Sequence, residues 1–222
     1  MAVNIAAYQQ IIHQLNQTQT TLVAVSKTKP VEDILTLYNL GHRVFGENYV
    51  QEFIEKQAVL PKDIEWHFIG HLQSNKVKYI VPFVHLIHGV DSFKLLQEIN
   101  KQSLKHNTIT NCLLQVHIAE EETKFGLDEQ ELNSILLGTE IQSLQNIAIK
   151  GLMGMASFSS DIAKVKTEFS KLQSLYQQYS TIQSPNISMQ TLSMGMSGDF
   201  NLAIEQGSNM VRIGSLLFGE RK

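Results

Sequence analysis

The sequence predicts an α/β protein built as a single (β/α)8 barrel. Short apolar runs rich in β-branched residues alternate with amphipathic stretches, in eight strand-then-helix units preceded by one extra helix. Eight units in about 200 residues suit a closed barrel better than an open doubly wound sheet. Polar and glycine residues gather just after the strands, at the end where the βα loops of a barrel converge. No Pro/Gly/Ser linker, low-complexity tract or charge block interrupts the chain, so residues 1–222 are expected to form one barrel domain.

In order, Asn4–Gln17 carries Ile5, Tyr8, Ile11, Ile12 and Leu15 at helical spacing. Strand one, Leu22–Val25, stops at Ser26-Lys27-Thr28-Lys29-Pro30, and a helix follows over Val31–Leu40 with Gly41 as its C-terminal cap. Strand two (Arg43–Gly46) ends in Glu47-Asn48 and leads to a helix over Tyr49–Gln57. Strand three (Ile64–Ile69) ends in Gly70-His71, and Ser74 opens a short helix before Pro82. Strand four is Val84–Val90, with Asp91-Ser92 capping a helix to Lys105. Strand five is Cys112–Ile118, with a helix over Asp128–Leu137; strand six is Ile147–Met153, with a long helix over Asp161–Tyr179. Strand seven lies near Ser188–Leu192, a helix over Asp199–Glu205, and strand eight at Met210–Ile213.

Composition excludes several classes. The 222 residues carry a net charge of −3 with no Lys/Arg run longer than two, which leaves no footprint for nucleic acid or an anionic membrane. No apolar stretch is long enough to span a bilayer, and the start has no basic region followed by a cleavage site. Cys112 is the lone cysteine and lies in an apolar run, as a packed core thiol does. Together these give the expectation of a soluble cytoplasmic protein with no membrane or nucleic-acid partner; the oligomeric state is left open, with a monomer favoured because no long exposed apolar helix face stands out.

Lys27 ends a strand, and a lysine there either reaches into solvent or points into a pocket. The strand-seven loop, Ser193-Met194-Gly195-Met196-Ser197-Gly198-Asp199, supplies glycines, a hydroxyl and a helix start, which together suit an anion. After strand eight, Arg212-Ile213-Gly214-Ser215 repeats the glycine-serine pair, and barrels often hold phosphate between these two loops. A phosphate grip facing a lysine is the arrangement that pyridoxal phosphate needs, since the amine condenses with its aldehyde. Lys29, next to Pro30, is the rival lysine and is expected to face solvent.

The segments AVSKTKP, HRVFGENYVQE, WHFIGHLQSNK, KFGL, GLMGMAS, LSMGMSGDFNLAIEQGSNMVRIG and FGER resemble, in order, those of the pyridoxal-phosphate homeostasis protein family, also called YggS or PROSC. That family is related to the barrel domain of alanine racemase. The resemblance covers nearly the whole chain and implies a fold type III barrel with pyridoxal phosphate as a Schiff base on Lys27. It further implies phosphate contacts from Ser197, Gly214 and Ser215, with Arg212 beside the pyridine nitrogen and Asn48 and His67 near the cofactor. Members commonly carry threonine where this chain has Ser215, and the hydroxyl is kept.

Two function classes follow: a carrier that stores pyridoxal phosphate or hands it to dependent apoenzymes, and an amino-acid racemase. A guanidinium stays protonated, so a ring nitrogen facing Arg212 stays uncharged and the ring is a weaker electron sink. Racemase relatives take a second base from a tyrosine of a further C-terminal domain, whereas this sequence reads only a few residues past Gly214. A racemase here would use Tyr49 or His67, and the carrier is the favoured expectation. Other groups have ordinary explanations: His71 as a hydrogen-bonded loop residue, and His85, His88 and His117 as structural strand residues. No acidic or cysteine partner at ligand spacing accompanies His67 and His71, and Glu120-Glu121-Glu122 reads as a solvated loop.

Overall fold

The computed structural model describes residues 3–121, 125–182 and 184–219. Glu122, Lys124 of the KFGL segment, and Glu220 and Arg221 of FGER lie outside the described residues. Strands β1 (Thr21–Val25), β2 (Val44–Glu47), β3 (Glu65–Phe68), β4 (Leu86–Val90), β5 (Thr110–Val116), β6 (Ile147–Gly154), β7 (Ile187–Ser193) and β8 (Met210–Ile213) close into one parallel barrel in sequence order. β8 returns to pair with β1, Val23 opposite Arg212. Around them run α1 (Ile5–Gln17), α2 (Val31–Asn39), α3 (Val50–Val59), α4 (Val77–Ile80), α5 (Phe93–Lys105), α6 (Glu129–Leu137), α7 (Ile162–Tyr179), α8 (Phe200–Glu205) and α9 (Ser215–Phe218).

The strands are largely apolar on both faces because most of each face meets something dry. In β1, Val23 joins Leu86, Leu113, Met153 and Met210 inside the barrel, while Leu22 and Ala24 pack outward under the helices. Helix α1 occupies the outer layer beside α8 and α9. Asn4 donates its backbone N–H to Leu217 O (2.8 Å), Gln14 donates to Asn201 Oδ1 (2.6 Å), and Tyr8, Ile11 and Leu15 face inward.

Most element ends agree with the sequence reading to within a residue or two. β4 starts at Leu86 rather than Val84, because Val84 N–H still closes the preceding turn onto Ile80 O. The helix expected from Ser74 is a 3-10 turn over Ser74–Lys76 running into α4. The four-residue α9 was not anticipated. β7 joins β8 through the single register pair Ser193–Met210. Among the described residues no helix is long and apolar enough to cross a membrane.

One feature of the core is polar. His88 is fully buried inside the barrel, with Nε2 2.9 Å from His67 Nδ1 and Nδ1 3.2 Å from Ser193 Oγ. His42 is buried on the outer side, edge-on to Tyr8 and Phe45. Burial pushes His42 down to about 4 and His67 to about 3, and holds His88 well below the usual imidazole value. These groups stay neutral in the fold but take up protons when it unfolds. Their contribution to stability is therefore present above an unfolded pKa of about 6.5 and is lost as pH falls toward the folded values. Each histidine should remove about 1.4 kcal/mol per pH unit below that point. The urea midpoint should drop steeply between pH 7 and 5; an unchanged midpoint would contradict the neutral burial of these rings.

Candidate functional site

The loop after β1 is held from behind by charge. The Lys56 side chain, on α3, is buried and donates to Ser26 O (2.7 Å), Glu47 Oε1 (2.7 Å) and Glu52 Oε1 (2.6 Å), which satisfies all its N–H groups. Ser26 Oγ also donates to Glu47 Oε1 (2.6 Å), and Thr28 N–H donates to Glu52 Oε1 (2.7 Å). Both neighbours of Lys27 are thus anchored to the same cluster. Burial pushes the Glu47 carboxyl above the usual carboxylate range, against the pull of Lys56 and Ser26. Thr28 adopts φ 62°, a strained value for a β-branched residue, and Lys29 N–H closes the turn on Ser26 O (3.0 Å).

In front of that turn opens a cavity of about 610 Å³, within the size range of small-molecule sites. It is lined by Lys27, Asn48, Ser197, Arg212, Gly214 and Ser215, six of the seven residues singled out from the sequence. The ends of β1, β2, β7 and β8 bring them together. Asn48 is fixed by a close backbone approach, since a Cβ on Gly70 would strike Asn48 O. The Asn48 Oδ1 is buried without a hydrogen-bond partner among the described residues.

Arg212 is held rigidly at the cavity floor. It donates through Nη1 to Ser193 O (2.9 Å) and Ser193 Oγ (2.7 Å), and through Nη2 to Gly154 O (3.0 Å). Burial pulls it down to about 10, partly offset by Asp199, so it is a cation at neutral pH. The β7 loop is shaped by Gly195, at φ 96°, where a Cβ would sit 2.6 Å from Ala203 Cβ. Asp199 Oδ1 accepts from Met196 N–H (2.5 Å), and Ser197 Oγ accepts from Gly214 N–H (3.3 Å), which ties the two glycine-serine loops together. Helix α8 has only six residues, so backbone amides and hydroxyls, rather than a long helix dipole, are what this wall offers an anion.

Three expectations change. His67 does not line this cavity; it lies inside the barrel below it, against His88. Lys29 does line it and is not left to solvent, because its Nζ donates to Phe218 O (2.8 Å) and Gly219 O (3.2 Å) at the end of α9. Glu65 lies close enough to His67 and His85 to share a cation with them, so an acidic partner at ligand distance does exist. His71 is the hydrogen-bonded loop residue expected, 3.1 Å from Asp91 Oδ2 and stacked on Phe125. The Lys56 cluster escaped the sequence reading. Its one local sign is the Glu52–Lys56 spacing of four on a helix, which is common on surfaces. Ser157 was missed as well; it joins the cavity wall with its N–H and Oγ held by Glu168 (2.6 Å each).

A family model described as alanine racemase, N-terminal domain, matches residues 1–222. A pyridoxal phosphate homeostasis protein of Aquifex aeolicus is 44% identical over 202 residues, covering 90% of this chain and 87% of the relative. Its namesake in Pasteurella multocida is 40% identical over 227 residues, covering 98% and 96%. This chain belongs to the pyridoxal phosphate homeostasis protein family. Among solved structures, PipY of Synechococcus elongatus, described with pyridoxal phosphate bound, matches with a TM-score of 0.85 at 33% identity over 96% of this chain and 100% of that one. Alanine racemase from Bartonella henselae, at 18% identity and a TM-score of 0.72 over 97% of this chain and 62% of that one, shares the barrel fold.

In this member of the homeostasis family the Lys56 cluster can be tested apart from any ligand. Lys56→Met leaves Glu47 buried without its counter-charge and should destabilise the fold by about 3–5 kcal/mol. Adding Glu47→Gln removes the stranded charge and should restore much of that loss. Urea unfolding of both variants checks it; equal losses in the single and double variants would contradict the coupling.

Proposed function

We propose that this chain binds pyridoxal phosphate at the C-terminal mouth of its barrel, linked to Lys27, and buffers or supplies it within the cell without strong catalysis of its own. The observation that carries the proposal is the cavity itself, with a lysine on the β1 side and a Ser197–Gly214–Ser215 wall facing it. The residues present fit the cofactor. Asn48 Oδ1 is a buried acceptor with no partner among the described residues, and Gly198 leaves its surroundings open. Ser197 accepts from Gly214 and keeps its own O–H to donate to an anion. The bound cofactor supplies an aldehyde that an amine can attack and a ring that can accept electrons.

The residues then divide the work. Lys27 offers the amine, on a turn whose flanks cannot drift. Ser197, Ser215 and Gly214 bind phosphate through hydroxyls and backbone. Arg212, with one guanidinium face committed to Ser193 and Gly154, presents a fixed cation toward the cavity. A cation there keeps a facing ring nitrogen unprotonated, which suits holding the cofactor better than turning it over. Neither Tyr49 nor His67 is among the residues that line the cavity, which supports the carrier reading over the racemase. The recipients we infer are pyridoxal-phosphate-dependent apoenzymes. The compartment we infer is the cytoplasm, where a lone, buried Cys112 thiol is at home.

Titration with pyridoxal phosphate, followed by absorbance, tests the site. The unmodified chain should develop a visible band that Lys27→Ala lacks. Ser197→Ala should weaken binding by about 10- to 100-fold, from the loss of one hydrogen bond to a charged group. Ser197→Ala should leave binding of pyridoxal, which has no phosphate, nearly unchanged. A chain that takes up no cofactor, or equal losses for both ligands in Ser197→Ala, would contradict the proposal.

A further inference from the structure

The opposite, N-terminal mouth of the barrel holds a second cavity, of about 260 Å³, lined among others by Glu65, His67, His85 and Lys150. Glu65 and His67 are two apart on β3, so strand alternation puts both side chains on one face. His85 immediately precedes β4, and its N–H donates to Trp66 O (2.8 Å), which places it beside them. The His67 and His85 rings stack with centroids 5.5 Å apart and planes 2° apart. His85 Nε2 lies 3.8 Å from Glu65 Oε2, and ligand atoms of all three residues fall within 4.8 Å of one another.

We propose that Glu65, His67 and His85 form a binding site for a divalent transition-metal ion of the zinc class, separate from the cofactor cavity. Two imidazoles and one carboxylate make a three-ligand set that leaves a coordination position for water. His67 supplies the rigid member. Its Nδ1 is engaged by His88 Nε2 at 2.9 Å, and no partner of its other ring nitrogen is found among the described residues. When Nδ1–H donates to His88, Nε2 carries the lone pair that a metal requires.

The next bonds support that orientation. His88 can donate from Nδ1 to Ser193 Oγ (3.2 Å), an oxygen that already accepts from Arg212 (2.7 Å). His67 therefore has the buried hydrogen-bond partner that metal-bound histidines use to fix their tautomer. Tetrahedral ligands at zinc distances stand about 3.3 Å apart, so the set must contract by roughly 1.5 Å. The Glu65 and His85 side chains are 47% and 48% exposed and are free to make that movement. Lys150, on β6, lines the same cavity and opposes a bound cation.

The test is a zinc titration of the purified chain, first treated with a chelator, against a chromophoric zinc indicator. The unmodified chain should bind one ion at micromolar concentration or tighter. Glu65→Gln and His85→Ala should each weaken binding at least tenfold, and their half-exposed positions should leave the circular dichroism spectrum unchanged. Lys150→Gln should bind as tightly or more tightly, because it removes a competing charge. Absence of competition with the indicator, or equal binding by the Glu65→Gln/His85→Ala double variant, would overturn the proposal. Weaker binding by Lys150→Gln would overturn it as well.

Discussion

The cluster that Lys56 makes with Ser26, Glu47 and Glu52 is the constraint on which the C-terminal mouth of the barrel depends. Isolated buried charges are costly, and this ammonium is tolerated because every N–H finds an oxygen within 2.7 Å. The benefit is positional. All three acceptors belong to, or directly grip, the residues on either side of Lys27, and the cluster also holds Thr28 in a left-handed conformation it would not adopt alone. A lysine on an ordinary βα loop would sample many positions. Here its backbone has very few, which lowers the entropy lost when its side chain engages a ligand.

A second polar element runs through the barrel itself. Arg212, Ser193, His88 and His67 form a buried line of hydrogen bonds from the floor of the C-terminal cavity toward the opposite mouth. Its members replace the aliphatic side chains that fill many small barrels, and each is hydrogen-bonded to the next. The line fixes the guanidinium from below, while Gly154 O fixes it from the side. The charge facing the cavity is therefore part of the core and not an adaptable surface group.

Much of this was legible in the sequence, for local reasons. The run Leu22–Val25 and its polar stop announce a strand end whatever the rest of the chain does, and the glycine-serine loops after β7 and β8 carry their own chemistry. What could not be read depends on contacts across the fold. Ser26 and Glu47 are 21 residues apart, and no spacing rule joins them. Lys29 was expected in solvent because it lies two residues beyond Lys27, but the turn at Thr28 carries it back to the α9 carbonyls. His67 was placed near the cofactor because its segment leads to the mouth. It lies three residues before Gly70, about 10 Å lower along a strand, which is deep enough to put it among the core residues. The Glu65–His67–His85 group needed β3 and β4 to be paired before it existed at all.

Both lysines of the β1 loop line the cavity, so the proposed site turns on which of them engages the cofactor. Borohydride treatment of the chain saturated with pyridoxal phosphate, followed by peptide mapping, tests it most directly. One permanently modified residue is expected, Lys27, with Lys29 untouched because its ammonium is committed to Phe218 O and Gly219 O. Modification at Lys29, or spread evenly over surface lysines, would contradict it.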